Sequence, residues 1–410
     1  MRADTLKILS CPYCGGGLEV VTSSFHRVDG NDIVDAILGC HCCVFPVVAG
    51  IPIMHLEPAA VAARERLESG DAAGAARKMF GFDDAERAKR FEETAQSPAA
   101  SYRELVDTLG PAFEGGYFLF RFSDPTYLVA DGVVRAVAAT AVRPGARAID
   151  VCGGSGHLTR SVLDFTERPL VADLSFAKLW LARRFTAPGC EAVCCDGNAP
   201  LPFVRHAFDL VVCSDAFHYI WTKRLLASEM MRIATADGAV VVTHAHNANE
   251  WNPSAGMPLP PAAYRDLFAE MNARLFAERE LLGELIAGGL DLSRRHSADV
   301  LETEPALTII ASRRAEVFRA APVANAKRVR GELRVNPLYA VDTDGDRATL
   351  RLRFPSEDYE QEYAAARTYL ADGVVVETRI LASLPAAHLS PELADLARRR
   401  LILDLPKHYC

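Results

Sequence analysis

The chain lacks a long hydrophobic run, a surplus of positive charge and a secretory leader, and each absence argues against one class of protein. No run of about 18 apolar residues occurs, so a membrane span is not expected. Lys and Arg number 45 against 53 Asp and Glu, a formal net charge of −8 that argues against a nucleic-acid partner. The first residues contain no apolar signal segment, which predicts a cytoplasmic protein.

Half of the 410 residues are hydrophobic, and this length predicts two or three domains, each with its own core. The composition and the hydrophobic pattern of the sequence change along the chain and divide it into four regions. They are a cysteine-rich, β-rich region (1–57), a helical linker or cap (58–108), an alternating α/β region (109–315) and a smaller α/β unit (325–410).

In the third region, short apolar runs alternate with amphipathic stretches, which is typical of a parallel sheet with helical crossovers. The predicted strands span 146–151, 170–173, 191–195, 208–213, 238–243 and 306–312. In the last region, the pattern predicts helices over 357–370 and 391–401 with a strand over 374–380 between them.

The strongest chemical signal is the glycine-rich turn Asp150-Val-Cys-Gly-Gly-Ser-Gly156, between a strand and a helix that opens near His157. Glycines let a ligand approach the backbone, and the helix N-terminus offers free N–H groups. Asp173 and Asp196 end the next two strands, where they could bind the ribose and the adenine of an adenosine. A dinucleotide is the nearest alternative, but its G-x-G-x-x-G pattern, counted from Gly154, meets Thr159 in place of the third glycine.

The block from about 144 to 245 resembles class I S-adenosylmethionine-dependent methyltransferases, and most the ubiquinone/menaquinone-biosynthesis group. The resemblance extends from the glycine turn through Asp196-Gly-Asn-Ala-Pro-Leu-Pro-Phe203 to Glu229-Met-Met-Arg-Ile233, with Cys152 in place of the commonest first glycine. It implies a Rossmann-like α/β fold that binds S-adenosylmethionine, with Ser214 and Asp215 beside the reacting sulfonium. The implied cofactor-binding residues are Asp150, Cys152, Gly153, Gly154, Ser155, Gly156, Asp173, Leu174, Asp196, Gly197 and Ser214.

Two C-x2-C pairs near the N-terminus predict a structural zinc site with the ligands Cys11, Cys14, Cys40 and Cys43. The segment resembles the zinc ribbon related to the Trm112 methyltransferase activator. The spacing from Cys40 to the following Phe-Pro is shorter than in that family, so Cys42 or His41 is an alternative ligand. A ribbon without metal, or one that holds iron, is the other interpretation.

Methyl transfer is an in-line displacement that depends on positioning, and it needs a base only when the acceptor loses a proton. The candidate catalytic residues are His218, after the fourth strand, and His244 and His246, at the end of the fifth. His244 and His246 share a face of a regular strand, so they could be a metal pair, although two polar residues at a strand end is the preferred interpretation. The proline-rich segment 247–261 is a candidate lid over the substrate.

The favoured function is methylation of oxygen, carbon or nitrogen in a small, secondary or quinone-like metabolite. A tRNA or rRNA methyltransferase with the ribbon on RNA is one alternative, and a non-catalytic scaffold with this fold is another. The C-terminal unit could cover the substrate or form a homo-oligomer, and the sequence leaves both open.

Overall fold

The computed structural model describes residues 1–82, 84–110, 115–252, 256–322 and 329–410. Its N-terminal region forms a small antiparallel sheet. Its strands are β1 (Glu19–Val20), β2 (Arg27–Asp29), β3 (Asp32–Gly39), β4 (Val44–Val48) and β5 (Ile51–Pro52). The long strand β3 pairs with β1, β2 and β4, and β5 follows β4 in a tight hairpin. We call residues 1–57 the ribbon.

The helical pattern of residues 58–108 is confirmed. The helices are Pro58–Glu68, Ala72–Phe80, Ala85–Gln96 and Tyr102–Leu109. The last of these begins with a capping box, in which the Ser101 hydroxyl accepts from the Glu104 N–H and the Glu104 carboxylate accepts from the Ser101 N–H. Phe80 and Phe91 pack against Trp180, which fastens this layer to the α/β region.

Seven strands form the central sheet, and all six strands predicted for this region are present. They are β6 (Ala148–Val151), β7 (Leu170–Asp173), β8 (Glu191–Cys194), β9 (Phe208–Ser214), β10 (Ala234–His246), β11 (Arg274–Ala277) and β12 (Ala306–Ser312). In space their order is β11-β12-β10-β9-β6-β7-β8. Strands β6 to β10 pair in parallel, whereas β12 is antiparallel to β10 and β11. The strand order reverses at β6, and open α/β sheets bind ligands at such a reversal.

Helices cover both faces of this sheet. They are Pro125–Ala141, His157–Val162, Phe176–Leu181, Lys223–Ile233, Pro261–Leu267, Glu278–Ile286 and Ala298–Glu302. The helix Pro125–Ala141 buries Val133, Val134 and Val137 against one face, because apolar residues recur there at helical spacing. On the other face, Leu226 and Met230 share a core with ribbon residues. No helix within the described ranges is long and apolar enough to cross a membrane.

The C-terminal region contains β13 (Glu332–Val335), β14 (Tyr339–Asp344), β15 (Arg347–Leu352), β16 (Gly373–Glu377) and β17 (Ile402–Leu405). Strands β14, β15 and β16 form one antiparallel sheet, and β13 pairs with β17. Earlier in the chain, Gly289–Asp291 pairs with Ala320–Pro322. The helices of this region are Glu357–Glu362, Thr378–Ala382 and Pro391–Arg398, and two short helices earlier in the chain span Ala3–Leu6 and Gly115–Phe118.

Two sequence predictions in the C-terminal region need correction. The strand predicted over 374–380 ends at Glu377, because its partner β15 begins at Arg347, opposite Glu377, and the backbone then turns into a helix. The helix predicted over 357–370 stops at Glu362 and continues as a 3-10 turn over Ala364–Thr368. The division of the chain into domains stays a prediction, and residues 323–328 lie outside the described ranges.

Candidate active site

The glycine turn follows β6 at the reversal of strand order. A Cβ atom on Gly153 would lie 2.6 Å from Cγ of Asp150, and Gly156 has φ of 72°, so glycine is required at both positions. Asp150 is buried, and its Oδ2 accepts a 2.7 Å hydrogen bond from the Thr159 hydroxyl. Its Oδ1 has no regular partner among the described residues, and burial raises the pKa of this carboxyl to about 7. A buried carboxylate oxygen without a regular hydrogen-bond partner, next to a compact glycine turn, can bind a cationic ligand group such as an amine.

The two further acids named from the sequence lie at the same edge of the sheet. Asp173, at the end of β7, accepts from the Gly154 N–H at 2.9 Å, which ties this acid to the glycine turn. Asp196 follows β8 and accepts from the Asn198 N–H at 2.8 Å. Leu174 follows Asp173 and is exposed, whereas Gly197 approaches Cys152 so closely that a Cβ would lie 3.0 Å from its sulfur. The structure thus brings the predicted cofactor residues of β6, β7 and β8 to one edge.

Residues with strained backbone cluster at this edge. φ is 57° at Cys152, 51° at Asp215 and 54° at His244, values that residues other than glycine rarely adopt. Cys152 follows β6, Asp215 follows β9 and His244 lies within β10, and these three strands are neighbours in the sheet. Each such residue costs about 1–3 kcal/mol, and such strain persists mainly at functional sites. Asp215 is held there by an N–H···O bond of 3.0 Å to the Thr243 carbonyl, next to the bond from the Thr243 hydroxyl to Ser214 Oγ.

His244 is anchored by Glu278, a partner that the sequence analysis missed. Its Nδ1 lies 2.8 Å from Glu278 Oε2, and its backbone N–H donates to Oε1 at 2.6 Å. The Thr308 hydroxyl donates to the same carboxylate at 2.8 Å. Burial opposes protonation of the His244 ring, but Glu278 and then Asp215 outweigh it and raise the pKa of His244 to about 9. His244 is therefore charged at neutral pH.

His218 and His246 form a parallel stack with ring centroids 3.6 Å apart. Burial lowers the pKa of His218 to about 4 and that of His246 to about 3, so both rings are neutral at pH 7. Neither ring nitrogen of His218 has a regular hydrogen bond within the described part of the chain. The Met257 N–H donates to the His218 carbonyl at 2.9 Å, so part of the predicted lid packs on this residue. Residues 253–255 of that segment lie outside the described ranges, and its role as a lid stays a prediction.

Arg121 is the second functional residue that sequence reasoning missed. Its guanidinium lies 2.8 Å from Asp215 Oδ2 and 3.4 Å from Asp124 Oδ2. Asp124 also caps the helix Pro125–Ala141 by accepting from the Tyr127 N–H at 2.6 Å. The Asp-Pro pair signals the start of this helix in the sequence, but no local pattern shows that the preceding arginine reaches the end of β9.

The three predicted catalytic histidines therefore meet at the ends of β9 and β10. The ring centroids of His244 and His246 lie 5.1 Å apart, and Asp215 completes a group with them. We call Arg121, Asp215, His218, His244 and His246 the polar cluster. A charged anchor beside two neutral imidazoles can orient a polar acceptor and take up its proton.

The ribbon gathers four thiols, but the set differs from the one predicted. Ligand atoms of Cys11, Cys14, Cys40 and Cys42 lie within 4.8 Å of one another, and Cys43 is not in this group. The Sγ of Cys43 lies 3.3 Å from that of Cys42, and the Cys43 backbone N–H donates to Cys40 Sγ. The ligand set with Cys43 stays a prediction, and the grouping of the thiols favours Cys42, the alternative that the short spacing left open. This four-sulfur arrangement is compatible with zinc.

The ribbon docks against the edge of the central sheet beside Asp196. Ile53 bridges Cys194 of β8 in parallel, and the Met54 N–H donates to the Cys194 carbonyl at 2.7 Å. His55 Nε2 lies 3.5 Å from Cys194 Sγ. The ribbon thus forms one wall next to the predicted adenine position.

Comparison with known proteins agrees with this geometry. Residues 148–238 match the family model described as a methyltransferase domain. The ubiquinone/menaquinone biosynthesis C-methyltransferase UbiE of Ectopseudomonas mendocina is 26% identical over 239 residues, which cover 55% of this chain and 80% of that protein.

Two solved structures illustrate the more distant similarities. One contains the Haloferax volcanii Trm112 methyltransferase activator with a methyltransferase, at 18% identity and a TM-score of 0.34, covering 44% of this chain and 88% of that one. The other, a SAM-dependent methyltransferase from Aquifex aeolicus, has 11% identity and a TM-score of 0.34, covering 48% of this chain and 96% of that one. The chain thus carries a methyltransferase domain, and the domain match and the UbiE homologue support an S-adenosylmethionine-dependent methyltransferase.

Proposed function

We propose that this methyltransferase transfers the methyl group of S-adenosylmethionine to a small-molecule acceptor held at the polar cluster. The observation that carries the proposal is the position of this cluster. It occupies the ends of β9 and β10, directly beside the glycine turn that follows β6. In this arrangement the methionine end of the cofactor lies at the turn and the acceptor approaches from the histidines.

The same geometry supports the cofactor residues that the sequence predicts. Asp150 and the turn Gly153 to Gly156 would hold the methionine end, and Asp173 the ribose. Asp196 would accept from the adenine amino group, beside the wall made by the ribbon. Asp173 already accepts from the Gly154 N–H. A carboxylate oxygen has further lone pairs, so this acid can hold the turn and the ribose at once.

The electrostatics of the histidines favour one class of acceptor. His218 is neutral and buried without a regular partner, so it can take a proton. A base whose pKa is about 4 removes a proton readily only from an acidic donor. We therefore favour a phenolic or enolic hydroxyl over an aliphatic alcohol, with charged His244 orienting a second polar atom of the acceptor. The UbiE relative is named for quinone biosynthesis, which is consistent with a ring-bearing acceptor.

Calorimetric titration with S-adenosylmethionine tests the cofactor site. Loss of charge-assisted hydrogen bonds to the ribose should cost about 1.5–3 kcal/mol, so Asp173→Ala should bind roughly 10- to 100-fold more weakly than the natural chain. The control is Asp237→Ala, an exposed acid in the first part of β10. Equal affinity in all three proteins would reject the ribose assignment, and no binding to the folded natural chain would favour a non-catalytic scaffold.

A further inference from the structure

We propose that Asp215, His244 and His246 bind a divalent transition-metal ion at the acceptor end of the active site. Each side chain offers one ligand atom, and these atoms lie within 4.8 Å of one another. Two imidazoles and one carboxylate on a single side of a metal leave open positions for other ligands. The site is distinct from the four cysteines of the ribbon. A catalytic role for the metal ion rests on the proposed function, but metal binding itself does not.

The surroundings hold the ligand atoms in the required orientation. Because Nδ1 of His244 is engaged by Glu278, its Nε2 can bind a metal, which would displace the proton that this nitrogen carries at neutral pH. Glu278 is itself fixed by the Thr308 hydroxyl and the His244 backbone N–H. A carboxylate that orients a histidine in this way is the usual outer partner of a metal-bound imidazole, and an anchoring hydroxyl makes it rigid.

The backbone also points to a built site. The pairing of β10 with β12 shifts register between Val242 and Ala245, and His244 lies in this irregularity with φ of 54°. Asp215, directly after the neighbouring strand β9, has φ of 51°. His246 is only 2% exposed, and its ring is supported by the parallel ring of His218. Backbone strain at two potential ligands and burial of the third are unfavourable unless a function or a ligand maintains them.

The balance of charge favours a cation. Asp124, Asp215, Glu278 and Glu362 all act on this region, whereas its cations are Arg121, paired with the two aspartates, and charged His244, paired with Glu278. Arg121 contacts Oδ2 of Asp215, so Oδ1 remains for a metal. A bound dication would replace the proton on His244 and offset the negative charge that remains in this buried region.

The ligand set selects the kind of ion. Imidazole with carboxylate suits Mn²⁺, Fe²⁺, Co²⁺ and Zn²⁺ better than Ca²⁺ or Mg²⁺, whereas thiolates favour Zn²⁺. An acceptor hydroxyl bound at an open position would become more acidic. Its O–H bond breaks with the proton passing to His218, its oxygen bonds to the methyl carbon, and the carbon–sulfur bond breaks with both electrons left on sulfur. A hydroxyl next to a second oxygen could chelate the ion, which narrows the acceptor class further.

Manganese binding tests the inference without an acceptor. The full-length protein is first loaded with one equivalent of zinc, which the four thiolates bind in preference to two imidazoles and a carboxylate, and Mn²⁺ is then titrated while electron paramagnetic resonance measures the free ion. We expect one Mn²⁺ per chain in the natural protein and at least tenfold weaker binding in Asp215→Asn and in His246→Ala. Asp215→Asn keeps the shape of the side chain, so it covers the case in which loss of buried His246 disturbs folding. His388→Ala, at an exposed histidine, is the matched control and should bind as the natural chain does.

The outcomes separate this inference from the proposed function. S-adenosylmethionine is titrated into the same natural protein. If the cofactor binds but Mn²⁺ does not, or if Asp215→Asn binds Mn²⁺ as tightly as His388→Ala, the metal site is wrong and the methyltransferase proposal stands. If Mn²⁺ binds as expected but the cofactor does not, the metal site stands and the proposed function fails.

Discussion

The pair formed by His244 and Glu278 gives the sharpest test of the electrostatics in this site. The pKa of His244 is raised from 6.5 to about 9, with Glu278 the largest favourable influence and Asp215 the next. Because the folded pKa lies above the unfolded one, the pair stabilises the fold fully below pH 6.5, and this contribution is lost as pH rises through 9. The whole shift corresponds to about 3 kcal/mol, since one pKa unit is about 1.4 kcal/mol.

Glu278→Gln removes the charge while it retains a carbonyl oxygen for the Thr308 hydroxyl. Since Asp215 still acts on the ring, we expect the variant to lose roughly 2 kcal/mol of pH-dependent stability rather than the full amount. Its deficit relative to the natural chain should therefore be largest near pH 6 and shrink by that amount near pH 10.

Urea unfolding at the two pH values measures this difference. All proteins are first treated with a chelator, so that no cation competes with the proton on His244. Glu316→Gln, which removes a carboxylate 68% exposed on the surface, is the control and should show an equal, small deficit at both pH values. An equal deficit for Glu278→Gln at both pH values would refute the reasoning, because it would show that His244 does not titrate in this range.

Two further predictions concern the glycine turn and the ribbon. In Gly156→Ala, alanine would have to adopt φ of 72°, and its Cβ would lie 2.9 Å from that of Ala182. The free energy of unfolding should therefore fall by about 2–4 kcal/mol in thermal unfolding, and S-adenosylmethionine should bind more weakly. Gly145→Ala, with φ of 84° but no atom within 4 Å of the new Cβ, should lose only about 1 kcal/mol, and equal losses would contradict the steric argument. Elemental analysis should find one zinc fewer per chain in Cys42→Ser than in Cys43→Ser, and the reverse result would support the ligand set expected from spacing.

The central sheet was predictable because its signals are local. Apolar runs bounded by glycine or acidic residues mark β6 to β9, and the observed strands agree with the predicted ones within two residues at each end. The cofactor acids follow directly from these strands, since the carboxyl ends of parallel strands meet at one edge. Strand β10 is longer than predicted, from Ala234 to His246, because its first part pairs with Phe208 before an irregularity.

The acceptor end could be predicted only in part. Three histidines were identifiable as residues at strand ends, but Arg121 and Glu278 reach them from segments remote in sequence. Nothing local distinguishes Glu278 from other acids in the first turn of a helix. The choice between Cys42 and Cys43 is difficult for the opposite reason. The two residues are adjacent in sequence, so spacing alone does not show which thiol groups with those of Cys11, Cys14 and Cys40.

The ribbon and the α/β region that carries the cofactor site share one hydrophobic core. Leu9 and Phe45 of the ribbon belong to the same hydrophobic core as Val193 and Phe203 of the α/β region. A backbone bridge joins Leu9 to Phe203, and the bridge between Ile53 and Cys194 lies two residues before Asp196. Because a small sheet such as this has little core of its own, the four thiols and any ion they hold stabilise the surface on which β8 rests. We therefore expect the position of Asp196 to depend on a cluster of cysteines that need not touch the cofactor.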